Sequence, residues 1–240
     1  MQNHIKSLFF YYTMQNIYLI PNWFFGLDVI FELTFAVIAL IVSFYAFKTY
    51  KLTNQNQSKF FGYSFLFISI SYFIQSFMNF AIISKINEGI CNVLKIQAVD
   101  TLNAMGIYAH ILFFIVGLVT LTYMTLKTES KKIYSLILIT SLLLILLSIN
   151  KIYSFYFLSS IFLVYITLHY FFNYIRNKQT KTLLALIAFI FLLFGSIHFM
   201  FVVNHVLFYI LGHFLELAAY LIILINLFLV LKNGKKTKQT

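Results

Sequence analysis

The sequence predicts an all-α fold, a polytopic membrane bundle of seven transmembrane helices with its N-terminus outside and its C-terminus cytoplasmic. Three observations predict it. Hydrophobic residues make up 62% of the 240 and charged residues only 10%, at a mean hydropathy of +0.91, and a soluble domain could not cover that much apolar surface. Seven stretches meet or approach the ~20 mostly apolar residues that a helix needs to cross hydrocarbon. The 17 Lys and Arg residues fall in the gaps between those stretches, and they alternate in density.

The stretches run from Phe24 to Phe47, Phe60 to Ser84, Thr101 to Leu126, Ile133 to Ile149, Ile152 to Ile175, Leu183 to Val203 and Val206 to Leu231. The fourth is the shortest. Asn150 with Lys151, and Asn204 with His205, leave room only for tight turns between spans four and five and between six and seven. One set of gaps holds Lys48, Lys51, Lys59, Lys127, Lys131, Lys132, Arg176, Lys178, Lys181, Lys232, Lys235, Lys236 and Lys238, while the other holds only Lys6, Lys85, Lys95 and Lys151. Cytoplasmic loops retain positive charge, so the richer side is inside. An odd helix count then puts the two ends on opposite faces, in a multi-pass protein of the plasma membrane.

Residues 1–23 read as an interfacial segment on the outer face. Tyr11, Tyr12, Thr13, Gln15 and Asn16 interrupt its apolar run, it lacks a small-residue cleavage site, and Pro21 ends it. Residues 24–232 form the seven-helix domain and 233–240 a basic tail. The net charge of +11 belongs to this topology and not to a nucleic-acid surface, so the expected partners are the lipid bilayer and a cytoplasmic signalling or redox protein. A single cysteine, Cys91, excludes an intrachain disulfide and any Cys-rich metal site.

Ionisable groups at membrane depth are expensive, and they usually face the bundle interior. By helical rise Asp28 and Glu32 lie within roughly 10 Å of the outer boundary, with His110 about 14 Å, His198 about 9 Å and His213 about 12 Å deep. Glu216 is a turn further in. His169 stands apart near the inner end. The expected ligand-binding residues are therefore Asp28, Glu32, Gln75, Asn103, His110, His198, His213 and Glu216, forming an outward-facing pocket. Asp28 and Glu32 are i,i+4 neighbours; Asn103, Gly106, His110 and Gly117 recur at helical spacing on span three. Ser64, Ser71 and Gln75 share a face of span two with Asn79 one step round, and Gly212, Glu216 and Tyr220 share one on span seven. Glu216 has no Lys or Arg between Lys181 and Lys232 to pair with. Read singly, the histidines suit interhelical hydrogen bonds, and Gly106, Gly117, Gly195 and Gly212 suit close helix packing.

Several chemistries are disfavoured. Retinal bound as a Schiff base needs a lysine in a late helix, and none lies there. HExxH is absent, and His205 and His213 are eight apart, a poor facial match for a zinc pair on the last helix, so no enzyme class is supported. A cofactor site survives: His110, His198 and His213 could serve as ligands to haem iron or a transition metal, in an electron-transfer subunit. A transporter would need a polar path inward, where the sequence offers His169, Thr120, Thr122 and Thr167.

The segment from Gly212 through His213 and Glu216 to Leu221 resembles the closing Gly-His-hydrophobic stretch of prokaryotic multi-helix membrane-associated sensor regions. So does the opening pattern of Asp28 and Glu32, then Tyr50-Lys51-Leu52-Thr53, then Phe61-Gly62-Tyr63-Ser64-Phe65-Leu66. The resemblance covers about a quarter of the chain. It implies a sensory role with His213 and Glu216 as the functional positions, and a separate partner, since this sequence shows no fused output domain. The leading expectation is a sensory or ligand-binding membrane protein, ahead of the haem- or metal-binding electron-transfer subunit.

Overall fold

The computed structural model describes residue 24 and residues 26–87, 96–126, 128, 130–202 and 205–236, with side chains described except at 82–87, 96–103 and 231–236. The interfacial segment 1–23 lies outside the described residues. Seven helices are present and no strand occurs among the described residues: α1 (Leu27–Thr53), α2 (Asn56–Asn87), α3 (Ile96–Leu126), α4 (Lys131–Leu147), α5 (Lys151–Asn177), α6 (Thr180–Met200) and α7 (Val206–Lys236). Six are long and apolar enough to cross a membrane. The exception is α4, at 17 residues.

Helices one to three and seven run several residues past the expected stretches into polar sequence, α7 through Gly234, because no proline stops them there. Two ends carry a left-handed residue that closes the last turn, Asn54 at φ 54° and Lys178 at φ 48°, each donating its N–H to a carbonyl four residues back. α6 instead begins and ends about three residues earlier than expected, at Thr180 and Met200. At the head of α5, the Asn150 side chain accepts from the Tyr153 N–H at 3.1 Å. An N-cap of this kind is worth about 1 kcal/mol, so Asn150→Ala is expected to lower the unfolding midpoint by a few degrees in a detergent melt; an unchanged midpoint would mean the tight α4–α5 turn holds without it.

Cross-helix contacts fix the topology. Three serines stitch α1 antiparallel to α2: Ser43 donates to the Gly62 carbonyl, Ser69 to that of Ala36 and Ser76 to that of Val29, at 2.8, 2.8 and 3.1 Å. α2 and α3 are antiparallel through Phe60 with Tyr123 and Ser71 with His110. Tyr170 on Phe189 and Tyr156 on Phe199 do the same for α5 and α6. Two neighbouring pairs run parallel. His110 and Phe114 of α3 meet Phe155 at the head of α5, while Phe31 and Phe35 of α1 meet His213 and Tyr220 of α7.

The result is a ring of α1, α2, α3, α5, α6 and α7 that closes where α7 lies beside α1. α4 packs outside it, against α3 and α5, with only Ser141 and Ile145 buried. Inside the ring an aromatic and aliphatic core extends through Phe35, Phe65, Ile115, Leu118, Ile166 and Tyr220. Outward faces carry Ile30, Phe44, Phe77, Leu136, Leu147 and Phe228, each more than half exposed, an apolar surface that only lipid covers without penalty. The chain is a multi-pass membrane protein. Odd-numbered helices start at one end of the bundle and finish at the other, and Lys48, Lys51, Lys59, Lys131, Lys132, Arg176, Lys178 and Lys181 all fall at the finishing end. We call this the basic end.

Candidate functional site

Four of the expected site residues converge. Asp28 and Glu32 point inward from the first turns of α1, and His213 and Glu216 from α7 beside it; all four are buried, Asp28 at 1% exposure. Their spacing produces this: one turn separates the two acids of α1, three residues separate His213 from Glu216, and the parallel packing of α1 on α7 brings the two stripes together.

The Tyr209 hydroxyl donates to Asp28 Oδ2 at 3.4 Å. Asn79 of α2 donates through Nδ2 to both Glu32 oxygens, at 3.0 Å each. Asp28, and more weakly Glu216, act electrostatically on Glu32. The Tyr72 hydroxyl faces Glu216, and Tyr72 also meets Tyr220 edge to face at 5.7 Å. All Lys and Arg residues with described side chains sit at helix ends, so among the described residues the three carboxylates have hydroxyl and amide donors for company and no Lys or Arg.

His213 sits differently. Five rings surround it: Phe24 stacked at 5.7 Å, Tyr209 at 4.5 Å, Phe199 at 5.1 Å, Phe31 at 6.4 Å and Phe35 at 6.5 Å. Neither ring nitrogen has a hydrogen-bond partner among the described residues. A buried polar atom without a partner forfeits about 1–3 kcal/mol, which the surrounding packing must offset.

Glycines set how closely α6 and α7 approach. A Cβ on Gly195 would meet Glu216 Cγ at 3.2 Å and the Gly212 carbonyl at 3.3 Å, so the Glu216 side chain lies directly over Gly195. Below it is a cavity of about 20 Å³, lined by Glu216, Tyr156, Ser159, Ser196 and Tyr220 and closed by Phe65 and Phe189. That is room for about one water. The Ser159 hydroxyl in this wall is buried and has no partner among the described residues.

Two of the other expected residues, His110 and His198, are held elsewhere. His110 Nδ1 pairs with the Ser71 hydroxyl at 2.7 Å and packs against Phe114 and Phe155 on the α3 side, the interhelical bond that suits a lone membrane histidine. His198 Nδ1 bonds the Phe194 carbonyl of its own helix at 2.7 Å, with its ring toward Phe208. Gln75 is half-buried, and the Asn103 side chain lies outside the described residues. Among the described residues no three of His, Cys, Asp and Glu are placed to hold a metal ion, so His110, His198 and His213 are not brought together as ligands.

Asn79, Tyr72 and Tyr209 complete the site without having stood among the expected residues. Asn79 carried a signal, as an amide in mid-span one step round from the Ser71–Gln75 face; the tyrosines are lost among 17. No protein-family model, curated protein or solved structure matches the chain.

Proposed function

We propose that this chain is a sensory or ligand-binding protein of the cell membrane that takes up protons, or a ligand carrying an organic cation, at Asp28, Glu32 and Glu216 beside His213, and signals to a separate partner. One observation carries the reading: three acids gathered in the core of a membrane bundle with no Lys or Arg among them in the described side chains. Two carboxylates at i,i+4 stand roughly 6 Å apart, and at an effective dielectric of about 20 two full charges at that distance cost about 3 kcal/mol. A third acid adds to the cost. A bound positive charge relieves it, and the change acts on the α1–α7 contact that closes the ring, the place from which repacking reaches both ends of the bundle.

The proposal places seven spans in the bilayer. α4 is about 25 Å long by its rise, at the short end of the range for a spanning helix. Because α3 and α5 start at the same end, α4 must return the chain across the depth they share. Seven crossings put the head of α1 and the tail of α7 on opposite faces, and positive charge assigns the basic end to the cytoplasm, where a signalling partner or anionic lipid would meet it.

Thermal unfolding of the full chain in lipid nanodiscs, with methylammonium, guanidinium, choline or tetramethylammonium added in turn, tests the reading. A cation at 100 times its Kd stabilises by about 2.7 kcal/mol, or roughly 5–10 °C for a protein of this size. One of the four is expected to raise the midpoint in the wild type and to lose that effect in Glu32→Gln and Glu216→Gln. If none does, and proton uptake measured between pH 5 and 8 is also the same in wild type and variants, the reading is wrong.

A further inference from the structure

The Glu216 cavity does not end at Glu216. Phe65 of α2 and Phe189 of α6 are among its lining residues, and the same two rings line a second cavity, of about 220 Å³, at the basic end. Lys181, Thr182 and Asn226 line this second space, with Tyr170, Phe61 and Ile223 as its apolar walls. Its volume allows several waters, each needing about 30 Å³. Asn226 Oδ1 is buried with no partner among the described residues, as Ser159 Oγ is in the smaller cavity. Each cavity thus presents a polar atom for water to satisfy. From Glu216 to Asn226 is ten residues of α7, about 15 Å along the axis, and Phe65 and Phe189 are the lining residues the two cavities share.

On the other side of Glu216 the acids continue as a ladder. Glu32 is within electrostatic reach, Asp28 lies one turn further on the first turn of α1, and the Tyr209 hydroxyl bonds it. Groups facing Glu216 that can also titrate are Tyr72 on α2, Tyr156 on α5, Tyr220 on its own helix and Glu32 on α1. Among the described side chains no Lys or Arg stands in the series before Lys181.

We propose that this column passes protons between the two faces, with Glu216 as the obligatory carrier between the acid ladder and the wet basic-end cavity. A proton taken up by Asp28 is handed to Glu32 and then to Glu216, breaking one O–H bond and forming the next at each step. Glu216 gives it to water in the small cavity, and the hydronium so formed passes between the cavities beside Phe65 and Phe189; the carboxylate left behind accepts the next proton. No electrons move, and the gradient sets the direction. Room for about one water at Glu216 favours a proton over a hydrated metal ion. Chains of acids and waters are the usual construction of proton routes through membrane proteins. Cation binding at the acids does not require passage, so this goes beyond the sensory reading.

The test is proton flux into liposomes carrying the full chain, followed by an entrapped pH-sensitive dye while a potassium gradient and valinomycin set the potential. Wild-type flux is expected to exceed that of protein-free vesicles by at least tenfold, Glu216→Gln to fall to the protein-free rate, Glu216→Asp to retain part of it, and Phe189→Leu to raise it. Wild type at the protein-free rate overturns the proposal whatever the variants do, and so does a Glu216→Gln protein that conducts like wild type. Cation-dependent stabilisation without flux removes the passage and leaves the sensory reading standing; flux without any cation or proton response in the melts removes the sensory reading instead.

Discussion

Leucine in place of Gly117 is expected to keep α2 and α3 from closing on one another, and so to leave little folded protein. A Cβ at this position would lie 2.7 Å from Ile68 Cγ1 and 2.9 Å from the Ser64 carbonyl oxygen. A side chain can swing aside, but a helix backbone moves only with the whole helix. Overpacking a tight core by a few atoms costs about 1–3 kcal/mol; alanine should fall in that range and leucine, with three more carbons pressed on the same carbonyl, beyond it. Gly106 supplies the control. There the added carbon meets the flexible Met78 side chain, so Gly106→Ala should cost less than Gly117→Ala. Size-exclusion profiles and melts of the three variants decide the matter, and a Gly117→Leu protein that elutes and melts as wild type would show that the α2–α3 contact is looser than described.

The second large effect is expected at Asn79. Its amide is the donor to both Glu32 oxygens, so Asn79→Leu leaves a buried carboxylate facing hydrocarbon. Stranding one member of a buried polar pair costs about 1–3 kcal/mol and more when the group is charged, which at roughly 2–4 °C per kcal/mol is a loss of several degrees at the least. The pair is the informative comparison. Removing both groups, in Glu32→Leu with Asn79→Leu, deletes the unmet demand along with its donor and should recover most of the loss, since an apolar replacement of a buried polar pair is often close to neutral. If the single variant melts like wild type, water already serves Glu32.

The membrane class was legible because apolar length and lysine placement are bulk properties, and six of the seven stretches emerged as helices of spanning length. The convergence of Asp28, Glu32, His213 and Glu216 was legible in part. Depth follows from counting residues, and all four were placed in the outer half. Which helices become neighbours does not follow from counting. His110 and His198 stand at similar depth, yet one is held by Ser71 of the adjacent α2 and the other by its own helix. Nothing in a single sequence says that α7 closes on α1 or that α4 is left outside. The inward route was illegible for a related reason: Phe65 and Phe189 are two among 30 phenylalanines, and Asn226 reads as one polar residue in a long apolar run until its neighbours are known. The serine bonds of α1 to α2 were hidden too, because a hydroxyl that reaches a facing carbonyl has the same spacing as one that bonds its own turn.

Closure of the ring has a cost in time during synthesis. Tyr209 and Asp28 are 181 residues apart, and at translation rates of roughly 5–20 residues per second α1 waits about 10–40 s in the bilayer before α7 emerges to cover it. Asn79, 47 residues downstream of Glu32, arrives in about a quarter of that interval. The nascent α1–α2 hairpin therefore shelters Glu32 early, while Asp28 waits for the last helix, and a chain stalled before α7 presents an open acidic seam for quality-control proteases to find.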